Sequence, residues 1–197
     1  MSQSFVVAFE SASAAFASAV FAAVVFAPAF LASNARAQTS APPASCELVA
    51  ASSVTEQHLS SGGRQRTYRL FVPPAYDGRT PLPLVLDLHG SGGTAVGQAA
   101  TSRFEALAAS ETFLVASLQA AGEANRWNVP ISNDRPDDVA YVSDVIDHVA
   151  ARVCTDFKRV YATGFSGGAR MSSLIGCRLS ARIAAIAPMA GLRWPGD

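Results

Sequence analysis

The sequence predicts an α/β fold, a mainly parallel β-sheet with helices on both faces. Three observations predict it. Between Leu84 and Met189, short apolar runs of strand character alternate with stretches of helical periodicity. The run Leu84–Leu88 is apolar apart from Asp87, as suits a strand buried on both faces. The segment Arg159–Leu179 reads as strand, sharp turn and helix. Val160, Tyr161 and Ala162 lead into Gly164-Phe165-Ser166-Gly167-Gly168, and Met171, Leu174, Ile175 and Leu179 follow at helical spacing.

A chain of 197 residues, 50% of them hydrophobic, is one domain with room for a core. Fifteen basic and fifteen acidic residues leave no net charge, and no basic stripe is present. Nucleic acid and anionic membrane surfaces are therefore not expected partners. Residues 1–37 differ in composition. Ala12–Ala32 is uncharged and rich in Ala, Val and Phe, and Ala35-Arg36-Ala37 has the small-x-small pattern of a signal cleavage site. The expectation is an exported chain beginning at Gln38, although Glu10 stands where a basic residue is usual. The rival is an uncleaved anchor, since ~20 apolar residues can span a bilayer; Pro28 and the alanine content weigh against it. A linker over 38–53 then leads to a domain over 54–197.

In chain order, Val54–Leu59 and Arg66–Val72 are predicted strands, with a turn at Ser60–Gly63 between them, forming a hairpin at the sheet margin. Pro73, Pro74, Pro81 and Pro83 punctuate the next loop. After the strand Leu84–Leu88 comes the turn His89–Gly93. A helix is then expected over Ala99–Ala109, with Phe104 and Leu107 inward, followed by a strand over Phe113–Leu118. Gly122–Asp137 is a polar loop. Asp138–Val153 is the clearest amphipathic helix, with Val142, Val145, Ile146 and Val149 on one face and Asp137 or Asp138 as N-cap. A last strand is expected over Ile183–Met189.

The chemistry concentrates at Gly164–Gly168. Gly-x-Ser-x-Gly between strand and helix is a nucleophile elbow, in which glycines allow the close approach of strand and helix and the serine Oγ is left exposed. An ordinary glycine-rich turn with an incidental serine is the plain alternative. A nucleophile attacking a carbonyl also needs two N–H donors aimed at the developing oxyanion. Gly167, the residue after the serine, offers one. The His-Gly-x-Gly-Gly loop His89–Gly93 offers the other, with Ser91 the candidate and His89 shaping the loop. Gly90–Ala95 also matches the dinucleotide fingerprint, yet Val115–Gln119 lacks the acid that would hold a ribose.

The general base is the gap. His58, His89 and His148 all precede Ser166, whereas this type of site orders its triad serine, acid, histidine. His58 is expected in solvent on the hairpin, and His148 in a surface i,i+4 pair with Asp144. No metal site is expected, because the histidines are scattered and no Cys-x-x-Cys occurs. No cofactor is expected either. The three cysteines suit an oxidising compartment. Cys177 should lie about 16 Å down the helix from Ser166, and Cys154 ends the helix before the strand, so both should reach the end of the sheet away from the serine. A Cys154–Cys177 bridge is predicted, leaving Cys46 over.

Four stretches taken together resemble one family: RVYATGFSGGARM at the elbow, LDLHGSGG upstream of it, Asn-Arg-Trp-Asn at Asn125–Asn128, and Asp-Val-Ala-Tyr-Val at Asp138–Val142. This is the extracellular polyhydroxybutyrate-depolymerase-like esterases, an α/β-hydrolase branch related to feruloyl and acetylxylan esterases. The likeness runs from about Val54 to the end. It implies an α/β-hydrolase fold, Ser166 as nucleophile, Gly167 and Ser91 as oxyanion donors, and the same Cys154–Cys177 bridge. It also implies a carboxylic ester as substrate, whether a polyester or an ester on polysaccharide. His89 and Trp127 are the candidate substrate contacts, with a buried packing tryptophan the equal alternative for Trp127. Many family members carry Asn where this chain has Gly167. They also continue for about another hundred residues, a size consistent with single hydrolase domains, and place the acid and base there. The expectation is therefore a fold incomplete at the C-terminus and holding half a catalytic site. The rivals are an inactive remnant that only binds, a serine peptidase and a dinucleotide-binding module.

Overall fold

The structure, a computed structural model, describes residues 53–192. The expected export signal, the linker up to Ser52, Cys46 and Asp197 lie outside the described residues. Six strands form one sheet in the order β1-β2-β4-β3-β5-β6. β1 (Ser53–Ser61) and β2 (Arg64–Val72) make the expected antiparallel hairpin around Gly62 and Gly63, both at positive φ. β2 pairs antiparallel with β4 (Leu114–Leu118). From there the sheet is parallel: β4 on β3 (Leu82–Leu88), β3 on β5 (Thr155–Phe165), and β5 on β6 (Ala185–Met189).

The alternation of β3 decides what each face carries. Leu84, Leu86 and Leu88 are wholly buried and join a core with Tyr141, Val142, Val145, Ile146, Met171 and Ile175. Those residues come from α3 (Asp138–Ala150) and α4 (Gly167–Arg178), which therefore cover one face. Asp87 points the other way, toward α1 (Ala95–Ser102). Asp137 caps α3, its side chain accepting the N–H of Ala140. No helix among the described residues is long and apolar enough to cross a membrane.

Three sequence expectations are corrected here. The helix expected over Ala99–Ala109 is two, α1 and α2 (Phe104–Glu111), separated by Arg103 at φ 56°. That left-handed residue resets the helical phase, so Ala108 is buried while Leu107 is 49% exposed and Phe104 only half-buried. His148 does not pair with Asp144. It faces the sheet, its Nδ1 2.8 Å from the Tyr68 hydroxyl, because α3 lies along the β1–β2 margin. Cys154 is disulfide-bonded, yet Cys177 is a free, exposed thiol, so the predicted bridge does not form. Cys154 instead faces the loop before β3: its N–H donates to the Tyr76 hydroxyl at 2.8 Å and its Sγ lies 3.3 Å from the carbonyl of Gly78.

Candidate active site

β5 runs straight into α4 through Ser166, which has φ 51° and ψ −108°. A non-glycine residue held there is strained by roughly 1–3 kcal/mol, and such strain persists only where the surroundings enforce it. The enforcing contacts are visible. The Ser166 N–H donates to the carbonyl of Met189 at 2.9 Å, and its own carbonyl accepts from Arg170 N at 3.1 Å. The flanking glycines leave no room for side chains: a Cβ on Gly164 would stand 2.5 Å from the Leu88 carbonyl, and one on Gly168 2.0 Å from the same oxygen. β3, β5 and α4 thus meet at distances only glycine permits.

Ser166 occupies the N-cap position of α4, but no side chain caps that helix. Its first N–H groups, beginning with Gly167, therefore lack intrahelical acceptors and present a positive helix end to whatever lies beside the serine. The loop after β3 lies against this end. A Cβ on Gly90 would be 3.6 Å from Ser166 Cβ, and one on Gly167 would be 2.9 Å from Ser91 N. Within the loop, Gly93 N–H donates to Gly90 O at 2.9 Å and Gly92 N–H to Asn125 O at 3.3 Å. The Ser91 N–H takes part in neither bond. A cleft of about 570 Å³ opens alongside, lined by His89, Gly90, Ser91, Thr94, Gln98, Phe165 and Met189 among others.

His89 is buried beneath this loop with both ring nitrogens engaged. Nδ1 is 2.7 Å from the Gly90 carbonyl, and Nε2 is 3.1 Å from the Ala120 N–H. A backbone N–H can only donate, so Nε2 accepts and Nδ1 carries the proton toward Gly90. Burial holds the pKa of His89 below the ordinary value, which keeps that neutral tautomer. Trp127 packs its ring 5.0 Å from the imidazole, and its Nε1 donates to the His89 carbonyl at 2.7 Å. Trp127 is 3% exposed and does not line the cleft, so its contacts buttress the loop rather than reach a ligand.

The remaining histidines lie elsewhere. His58 is exposed on β1 beside Glu56, and His148 is bonded to Tyr68. No side chain among the described residues hydrogen-bonds Ser166 Oγ. No group of three or more metal-ligating side chains occurs among them either.

Several residues hold the site in roles that the sequence does not assign them. Gln119, at the end of β4, accepts the Ala95 N–H on Oε1 at 2.9 Å, while Thr94 Oγ1 accepts the Gly97 N–H at 3.0 Å. Two first-turn donors of α1 that a dinucleotide phosphate would need are thereby taken, against the fingerprint reading of Gly90–Ala95. Asp138 is buried, pairs with Arg66 at 2.7 Å and accepts the Asn128 N–H at 2.7 Å, which fixes the Asn125–Asn128 loop. A charged residue just inside an amphipathic helix next to that motif was the available signal. Asp87, alone in an apolar strand, was another.

A family model described as Esterase PHB depolymerase matches residues 66–195. Feruloyl esterase B of Piromyces equi is 34% identical over 122 residues, 60% of this chain and 22% of the relative. Putative esterase NocK of Nocardia uniformis subsp. tsuyamanensis is 34% identical over 152 residues, 73% of this chain and 43% of the relative. The chain thus spans less than half the length of these two curated relatives. An acetyl xylan esterase from Aspergillus awamori superposes with a TM-score of 0.59 at 16% identity, covering 70% of this chain and 53% of the other. That likeness is one of fold, the α/β-hydrolase fold.

Proposed function

The chain belongs to the esterase PHB depolymerase family, and from that premise we propose that it is an exported serine esterase that cleaves carboxylic esters through an acyl-enzyme on Ser166. One observation carries the proposal: Ser166 stands in strained backbone at an uncapped helix N-terminus, with the Ser91 loop packed on Gly167. Ser166 Oγ attacks the ester carbonyl carbon, and the carbonyl oxygen takes up charge facing the N–H groups of Gly167 and Ser91. Collapse expels the alcohol, which leaves with a proton, and water then releases the acid. The proton acceptor is none of the three histidines, since each is engaged or distant. Full turnover requires a base that the described residues do not supply.

The substrates favoured by the relatives' names are feruloyl and acetyl esters of polysaccharide, with a hydroxyalkanoate polyester as the family-level alternative. The alternative reading is a domain that binds or is acylated without turning over. A fluorophosphonate probe on the full chain, followed by peptide mass spectrometry, tests the nucleophile. Modification at Ser166, absent in Ser166→Ala, is expected, and modification elsewhere or nowhere overturns the proposal. Methyl ferulate, an aryl acetate and an amide analogue then separate esterase, peptidase and non-turnover readings.

A further inference from the structure

Asp87 is a carboxylate set within the sheet, wholly buried, and unused by the chemistry above. Both its oxygens are taken. Oδ1 accepts from Gln98 Nε2 at 2.7 Å and Oδ2 from Ser102 Oγ at 2.7 Å. Gln98 and Ser102 are one helical turn apart, so a single carboxylate grips one face of α1. No cation among the described residues pairs with it. Desolvation, with Glu105 nearby, raises its pKa. An apolar residue in this strand would avoid that cost, so the geometry it imposes is the place to look for its use. On one side of the oxyanion loop stands β3, and on the other stands α1, whose first turn is already held by Thr94 and Gln119. Asp87 ties the two together across residues 89–94.

Resting on the esterase reading above, we propose that Asp87 is a positioning residue. Its bonds to Gln98 and Ser102 fix α1 on β3 and thereby set where the Ser91 N–H stands relative to Ser166. Asp87→Leu removes both acceptors. Asp87→Asn keeps one acceptor for Gln98 Nε2 and offers Ser102 Oγ an N–H, so it preserves the grip without charge.

The test has two arms on the full chain. In the first, amide exchange is measured for Gly93 and Ala95, with the β5 amides as internal control. Asp87→Leu is expected to accelerate exchange at Gly93 and Ala95 at least tenfold and leave β5 unchanged, and Asp87→Asn to restore protection. In the second, the fluorophosphonate modification rate of Ser166 is expected to fall at least tenfold in the Leu variant and stay within about threefold in the Asn variant. Should the Leu variant not fold, the double variant Gln98→Ala/Ser102→Ala removes the donors instead and is expected to show the same tenfold changes in loop exchange and in modification rate. Unchanged loop exchange, or equal loss in the Leu and Asn variants, overturns the proposal. Absence of modification in the unaltered chain sinks the esterase reading alone, because the exchange arm does not depend on it.

Discussion

No side chain fits between Gly167 and Ser91: a Cβ on Gly167 would stand 2.4 Å from Ser91 Oγ and 2.9 Å from its backbone nitrogen. Rotating the Ser91 side chain relieves the first contact but not the second, so Gly167→Ala must push the loop's backbone away from Ser166. Displacing a reacting geometry by tenths of an ångström to 1 Å costs up to roughly 10²-fold in rate. The expected outcome is a drop of about that size in Ser166 modification rate, with near-unchanged far-UV circular dichroism. A variant as reactive as the original chain means that Ser91 is no part of the oxyanion hole.

Strain at Ser166 makes a second prediction with opposite signs for stability and reactivity. At φ 51° and ψ −108° a glycine is unstrained, whereas serine is not. Ser166→Gly is expected to raise stability by about 1 kcal/mol, or roughly 2–4 °C in Tm for a domain of this size, while abolishing modification. A lowered Tm means the serine hydroxyl makes a stabilising interaction and the backbone is not a strain reservoir.

Where local pattern and tertiary demand coincide, the sequence was sufficient. The hairpin, the elbow and α3 each carry their own turn chemistry or periodicity, and all three formed as read. α1 and α2 did not, because Arg103 takes a left-handed conformation that nothing in Ala-rich helical sequence signals. The place of His148 on its helix predicts a solvent-facing ring, yet the helix packs that edge against Tyr68. Ser166, Gly167 and Ser91 are legible as candidates because glycine spacing marks close backbone approach. Their supports are not: Gln119 and Asp138 act through bonds to residues well separated in sequence, and Asn128 through bonds within its own loop, none of which a helical or strand period encodes.

The cysteine assignment has a direct chemical check. With Cys177 exposed and Cys154 disulfide-bonded, alkylation of the native chain without reductant is expected to modify Cys177 and not Cys154. Cys177→Ser should leave Tm within about 1 °C, since an exposed surface position contributes little. Resistance of Cys177 to alkylation, together with a Tm loss of several degrees in Cys177→Ser, restores the bridge predicted from the sequence.

Asp87 and His89, two residues apart, respond to pH in opposite senses. The pKa of His89 is lowered by burial, so below about pH 6.5 the unfolded chain takes up a proton that the folded chain refuses. Its contribution to stability is therefore lost as pH falls through that range. The pKa of Asp87 is raised by burial, so the folded state keeps a proton where the unfolded state, at about 3.9, has lost it. Its contribution is present at acid pH and lost as pH rises through the folded pKa. Asp87→Asn removes only the second effect and preserves the bonds to Gln98 and Ser102. The stability of the Asn variant relative to the original chain should therefore climb from pH 4 to pH 8 as the native carboxyl is forced to ionise. Urea unfolding at several pH values measures it, and a difference that stays flat across that range means Asp87 titrates as an ordinary solvated carboxylate.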